Sequence, residues 1–299
     1  MNSSVYGAFT TLRTKTNRHL VVQQNKLIVI GEQAARKGVK SLLDWLNRTP
    51  KAPPQALIFI SNRPAVDVLG FQPSDSNMPG LDFIATKTVL KKESHTFLIP
   101  VWRFREILID GAEDLYAPML GLDLREGQYL QNGLAIFNGD RLVGELSRAE
   151  TQSFGILTNQ IKGGSISYRD GSGMWKGKFS MRNVSAKTRI KVKLNHGRPY
   201  FLIETKITGF LAELLGRDHE LTPGSVNQLE RVIETETRQN LIKLIGKMQR
   251  LQSDGIGFGE KLRAQHYGFW KGHNWKQLYP TSRFQVVVKA DVIRNGVTR

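Results

Sequence analysis

Between residues 253 and 262 the chain reads SDGIGFGEKL, with Gly255, Gly257 and Gly259 at alternate positions. Alternating glycines can bare backbone N–H groups to a phosphate, and a dinucleotide fingerprint also begins Gly-x-Gly. That chemistry requires the glycines to follow a strand and open a helix, where the dipole is positive. Here they follow a long helical pattern, at the end where the dipole is negative. The residue three after Gly257 is Glu260, and no Gly-Lys-Ser/Thr follows. No nucleotide site is expected. Gly255 is expected as the left-handed cap of the preceding helix, Gly257 and Gly259 as a tight reversal, and Phe258 as a core residue between them.

Other reactive residue types are dispersed. The six histidines, His19, His95, His196, His219, His266 and His273, show no metal-binding spacing, and solvated loop positions are expected for them. No Gly-x-Ser-x-Gly nucleophile elbow occurs. Asp123, Asp218 and Glu220 could do acid–base work, but the sequence pairs none of them, and the last two read as caps ahead of a helix. There is no cysteine, which excludes disulfides, thiolate catalysis, thiol-bound metals and a lipid on a cysteine of this chain. No catalytic residue, cofactor or metal is expected. Trp270, Trp275 and Tyr279 alternate with Lys271, His273 and Lys276. Such a cluster could stack on bases, but a packed aromatic corner is the favoured reading.

The 299 residues carry 43 Lys and Arg against 26 Asp and Glu, a formal charge of +17. That balance favours an anionic partner: a membrane surface, an acidic protein or nucleic acid. No apolar run is long enough to span a bilayer, and the first twenty residues lack the apolar stretch of a signal peptide.

The elements that must position these residues are legible in part. LIVI at 27–30 reads as a strand. A helix follows over 32–49, with Ala35, Val39, Leu42, Leu43 and Leu46 on one face and Pro50 as its stop. ALIFI at 56–60 reads as a second strand, giving a strand–helix–strand unit, with a short helix over AVDVLGF. Strands are expected near 96–101 and 104–109, and NGD at 138–140 reads as a hairpin turn. KTRIKVKL alternates Ile190, Val192 and Leu194 with Arg189, Lys191 and Lys193, a half-buried antiparallel strand. A long helix is expected over 222–252, capped by Thr222, with Val226, Leu229, Ile233, Leu241, Leu244, Ile245, Met248 and Leu251 as its apolar stripe. Glu230, Glu234 and Glu236 early, with Lys243, Lys247 and Arg250 late, match its dipole. FQVVVKADVI reads as a final strand.

Taken together, SDGIGFGEKLRAQHYGFWKGHNWKQLYP and FQVVVKADVIRNG resemble the C-terminal signature of the Ger(x)C family, the C subunits of bacterial spore nutrient-germinant receptors. The signature positions are Asp254, Gly255, Gly257, Gly259, Trp270 and Trp275. NGLAIFNGDRLVGELSRAET adds Gly133, Phe137, Leu142, Val143, Gly144, Glu150 and Thr151, and NKLIVIGEQAARKGVKSLLDWLNRTP resembles the family's front segment. Tyr267-Gly268 stands where the family tends to carry a proline.

The resemblance implies an α+β, multi-domain protein with a mixed α/β N-terminal region and a C-terminal antiparallel sheet packed on the long helix. The expected segments are an N-terminal remnant at 1–72, a β-rich middle at 80–125 and a C-terminal domain at 126–299. It implies a non-enzymatic subunit on the outer face of the spore inner membrane, partnered by a membrane-embedded A subunit and a B subunit. Family members begin with a signal peptide and a lipid-modified cysteine. Neither is visible here, so the chain is expected to start inside the first domain. Lys187, Arg189, Lys191 and Lys193 are the candidate contacts to an anionic membrane surface, with a solvated, edge-protecting strand face as the plainer reading. A basic nucleic-acid-binding module is the alternative function.

Overall fold

The computed structural model describes residues 4–17, 20, 22–49, 53–73, 97–169, 177–215 and 223–293. They fall into two compact units, one ending at Glu145 and the other running on from Leu146. Thr222, Asp218, Glu220, His19, His95 and His219, and nearly all of the polar loop at 72–80, lie outside the described residues.

The first unit holds α1 (Val5–Thr14), β1 (Leu27–Gly31), α2 (Glu32–Lys37), α3 (Lys40–Arg48), β2 (Leu57–Ser61), α4 (Ala65–Leu69), α5 (Val101–Asp110), β3 (Tyr116–Asp123), β4 (Gln128–Asn138) and β5 (Arg141–Leu146). Its strands form one sheet in the order β1-β2-β3-β4-β5. β1, β2 and β3 run parallel, and β4 returns antiparallel to β3. Ile58, Ile60, Phe104, Ala117 and Phe137 are fully buried in the core between this sheet and its helices.

Three features depart from the sequence reading. The single helix expected over 32–49 is two, broken at Gly38 with φ 122°. The cause is the β4–β5 turn: Asp140 accepts from the main chain of Val39 at 2.9 Å and Lys40 at 3.2 Å, and its carboxylate occupies the space a Cβ on Gly38 would need. The strand pair expected within 96–109 is largely helix α5. Pro100 stands at its N-cap and Gly111 at its left-handed C-cap. Val101, Phe104 and Ile107, three apart, are its buried face. Finally, strands from all three expected segments share this sheet. β2 and β3 meet through Ile60↔Met119 and Ser61↔Leu120, a pairing of distant residues that local patterning does not reveal.

The second unit holds α6 (Arg148–Leu157), β6 (Ser165–Arg169), β7 (Lys178–Asn195), β8 (Arg198–Leu215), α7 (Pro223–Arg250), α8 (Phe258–Gln265), α9 (Tyr267–Lys271), α10 (Trp275–Leu278) and β9 (Arg283–Ile293). The sheet order is β6-β7-β8-β9. β7 and β8, 18 residues each, form an antiparallel hairpin closed by His196 and Gly197, both with positive φ, as a two-residue turn demands. β9 joins β8 in parallel after the helical crossover through α7. One face of the sheet is apolar: Phe201, Ile203, Ile207, Val286 and Val288 are buried there. α7 contributes Leu229, Ile233, Leu241, Leu244 and Met248, all buried, as the periodicity requires.

Candidate interaction surface

The glycine-rich stretch turns out to be an anion site that the chain fills itself. α7 ends in a Schellman-type reversal: Gln252 donates to Gln249 O at 3.0 Å and Ser253 to Met248 O at 3.0 Å, with Gln252 at φ 52°. The left-handed cap is therefore Gln252, not Gly255. Five residues on, Gly257, at φ 85°, caps the start of α8. The Asp254 carboxylate, 1% exposed, takes the N–H groups at that helix start. One oxygen accepts from Gly257 at 3.1 Å and Phe258 at 2.9 Å; the other accepts from Gly259 at 2.7 Å and from Trp275 Nε1 at 2.9 Å. The sequence argued against phosphate because the glycines follow a helix. They also open one, and the stronger reason is that Asp254 occupies the donors.

Trp275 is held between this carboxylate and Phe201, Tyr279 and Trp270, at ring-centroid distances of 5.9, 5.4 and 6.3 Å. Phe258, fully buried, packs on Phe201, Phe284 and Tyr279. The aromatic cluster is a packed corner.

The described histidines are not solvated loop residues throughout. The His266 ring bonds Val192 O at 3.0 Å; the His273 ring bonds Phe269 O at 2.8 Å and stacks on that ring. Both are held by main-chain oxygens, not by a hydroxyl or carboxylate that could form a catalytic pair. Asp123 caps its own turn, accepting from Arg125 at 3.0 Å and Glu126 at 3.1 Å. Among the described residues no three His, Asp or Glu side chains gather as metal ligands. In the first unit a cleft of about 580 Å³ lies at the carboxyl ends of β1 and β2, lined by Gln33, Lys37, Asn62 and Arg63 among others. Its Arg36 is tied to Glu32 at 2.7 Å.

The outer face of the second sheet is different in character. Register places Lys193, Tyr200 and Arg283 in one rung across β7, β8 and β9. The next three are Lys191–Leu202–Gln285, Arg189–Glu204–Val287 and Lys187–Lys206–Lys289. Seven cations thus share four rungs with one carboxylate, and every one of the seven is exposed. Lys191 reaches Glu204 at 2.8 Å, and Lys206 reaches Asp291, one rung on, at 3.1 Å. The hydrogen bond from Lys191, with the further fields of Arg189 and Lys289, holds the Glu204 carboxyl below the ordinary carboxylate range.

The edges of the same sheet are closed by side chains. Beyond the stretch paired to β6, segment 161–164 bonds Val184 and Ala186 of β7. Asn159 then donates to Thr188 O at 2.9 Å and accepts from its N–H at 2.6 Å. Gln265 donates to Ile190 O at 3.1 Å and accepts from Val192 N at 2.9 Å. A side-chain amide carries one acceptor and donors, as a peptide does, so each stands in for a strand residue. On the opposite edge Glu234 accepts from Ala290 N and Glu230 from Val292 N, both at 3.0 Å. Sequence reasoning missed all four. The two glutamates read as helix-dipole residues, and Asn159 and Gln265 carried no periodic signal.

Comparison with known proteins fixes the context. The family described as "Spore germination B3/ GerAC like, C-terminal" matches residues 132–296, and "Spore germination protein N-terminal domain" matches residues 2–122. The chain belongs to the Ger(x)C family of spore germination proteins. It is similar to "Spore germination protein GerQC" of Bacillus cereus, 24% identical, over 95% of this chain and 78% of the relative. It is similar to "Putative spore germination protein YfkR" of Bacillus subtilis (strain 168), 22% identical, over 99% and 77%. The crystal structure of the GerBC protein shares the fold, with a TM-score of 0.73 at 20% identity, covering 94% of this chain and 83% of that one. The fold is α+β, as the Ger(x)C resemblance implied, but the second sheet is mixed where an antiparallel one was expected, because the crossover through α7 brings β9 in parallel to β8.

The Ger(x)C signature residues divide between the units. Gly133, at φ 113°, sits at the bulge where β4 crosses β3, Phe137 is fully buried in the first core, and Gly144 is half-buried on β5. Asp254, Gly257, Gly259 and Trp275 are brought together at the start of α8, with Gly255 buried in the approach and Trp270 against Trp275. Lys187, Arg189, Lys191 and Lys193 stand in one exposed row on β7.

Proposed function

We propose that this germination protein is a non-enzymatic subunit of a spore germinant receptor. It acts at the outer face of the spore inner membrane through contacts with membrane-embedded A and B subunits. The observation that carries the reading is the pair of germination-family matches, which between them take in residues 2–122 and 132–296. The chemistry on the page supports it. The amides and the bonded histidines described above are spent on main-chain groups, and the buried carboxylate on main-chain N–H groups and the Trp275 indole, which is scaffold chemistry. Among the described residues no helix is long and apolar enough to cross a membrane, so those residues meet such partners at a surface.

The test is genetic. Deleting the gene is expected to slow germination triggered by at least one nutrient, with restoration by the wild-type copy. Normal germination in every nutrient tried would remove the reading. The alternative of a nucleic-acid module loses one of its two supports, because Trp275 is 5% exposed and bonded to Asp254 and is not free to stack on bases.

A further inference from the structure

We propose that the outer face of the second sheet is a docking surface for an anionic phospholipid bilayer. The inference stands on that face alone and does not need the receptor reading.

The first argument is cost. Lys187, Lys206 and Lys289 occupy one rung of three adjacent strands. Like charges opposite each other oppose sheet formation, so the fold gives no reason for this rung. Nor is it edge protection. Lys206 lies on β8, which is paired on both sides, and β7 is already closed along Val184–Val192 by segment 161–164, Asn159 and Gln265. Along this stretch of β7 a partner therefore meets the sheet on its face, not by adding a strand.

The second argument is the kind of partner. The cations, five of them lysines, form a field of roughly 10 Å by 20 Å without a central aromatic anchor. Protein interfaces bury aromatic and Arg anchors at their centre and are depleted in lysine there. Single-stranded nucleic acid is held by successive stacked rings, and these four rungs carry one aromatic, Tyr200, whose hydroxyl is bonded to Gln285. Flexible lysines that stay hydrated above a flat sheet suit a diffuse array of lipid phosphates. Val287, exposed among the cations in the Arg189–Glu204 rung, adds apolar contact.

The experiment is co-sedimentation of the full chain with phosphatidylcholine vesicles, with and without phosphatidylglycerol, across a salt series. Binding is expected to the anionic vesicles only, fading as salt screens it. The variant Lys187→Gln/Lys206→Gln/Lys289→Gln is expected to bind roughly a hundredfold more weakly, with its melting temperature unchanged or higher. Lys193→Gln/Arg283→Gln, in a separate rung, gives a second reading with the same expected direction. Arg231→Gln/Arg238→Gln/Lys243→Gln removes as much charge from exposed positions of α7 and is expected to leave binding within about twofold.

Equal loss in that control would assign binding to net charge and overturn the proposal. So would equal binding to neutral vesicles, no binding at low salt, or displacement by single-stranded polynucleotide at matched phosphate, which would reassign the face to nucleic acid. Vesicle binding through this face alongside normal germination of the deletion strain would keep the surface and remove the receptor reading. The converse result would do the opposite.

Discussion

At Asp254 four N–H groups converge on one buried carboxylate. An amide there would turn its NH2 toward donors on one side. Asp254→Asn is therefore expected to cost about 3 kcal/mol or more, read by chemical denaturation. Trp275→Phe removes one donor and should cost about 1–2 kcal/mol. The double variant should cost clearly less than the two together, since the clash and the lost bond share a partner. Glu150 offers a pH-dependent counterpart. It closes a capping box with Ser147 and takes Lys247 Nζ at 2.8 Å. Burial works to raise its pKa, but the hydrogen bonds from Lys247 and Ser147 prevail and hold it below the ordinary range. A lowered native pKa gives stability that is complete above the unfolded value, near 4.5, and is lost as pH falls through the native value. The melting difference between wild type and Glu150→Gln should be full at pH 7 and close as the solution is acidified below that range. At this scale the sequence showed that Asp254, the glycines and Trp275 form one pattern. It did not show what bonds them, because the indole arrives from 21 residues away.

Elements were legible where one stripe decides them. α7, β9 and the 187–194 part of β7 fall where alternation or helical spacing puts them. They were misread where a distant group intervenes. The break between α2 and α3 depends on Asp140, a hundred residues on from Lys40, and α5 was taken for strands because its short apolar run suits either period. The closed edge of β7 is likewise a product of tertiary contact. Gln265→Glu would keep an acceptor for Val192 N but lose the donor to Ile190 O. It should cost about 1–2 kcal/mol, and hydrogen exchange should show faster exchange at Val192 and its neighbours while the inner strands stay protected.

Across the whole molecule the two units have separate cores, one around Phe104 and Phe137 and one around Phe201 and Phe258. Calorimetry should resolve more than one transition. Phe104→Ala, which empties a fully buried site, should lower one of them, and Asp254→Asn the other. Two transitions that always move together would show the units to be one cooperative block. The surplus of positive charge was plain in the composition. Its concentration on one sheet face was only half legible, since alternation revealed the β7 row while Lys206, Arg283 and Lys289 join it only through register.

The side chains that close the β7–β8 sheet also set an order of events during synthesis. The hairpin is complete at Leu215, yet Glu230, Glu234 and Gln265 are made later, and β9 last of all. Until they emerge, the outer edge of β8 and the stretch of β7 at Ile190 and Val192 present unpaired backbone to any other nascent chain. Chains stopped between Leu215 and Gln265 should therefore accumulate as aggregates, while the finished polypeptide stays dispersed. The last third of the sequence acts on the hairpin as a built-in chaperone would.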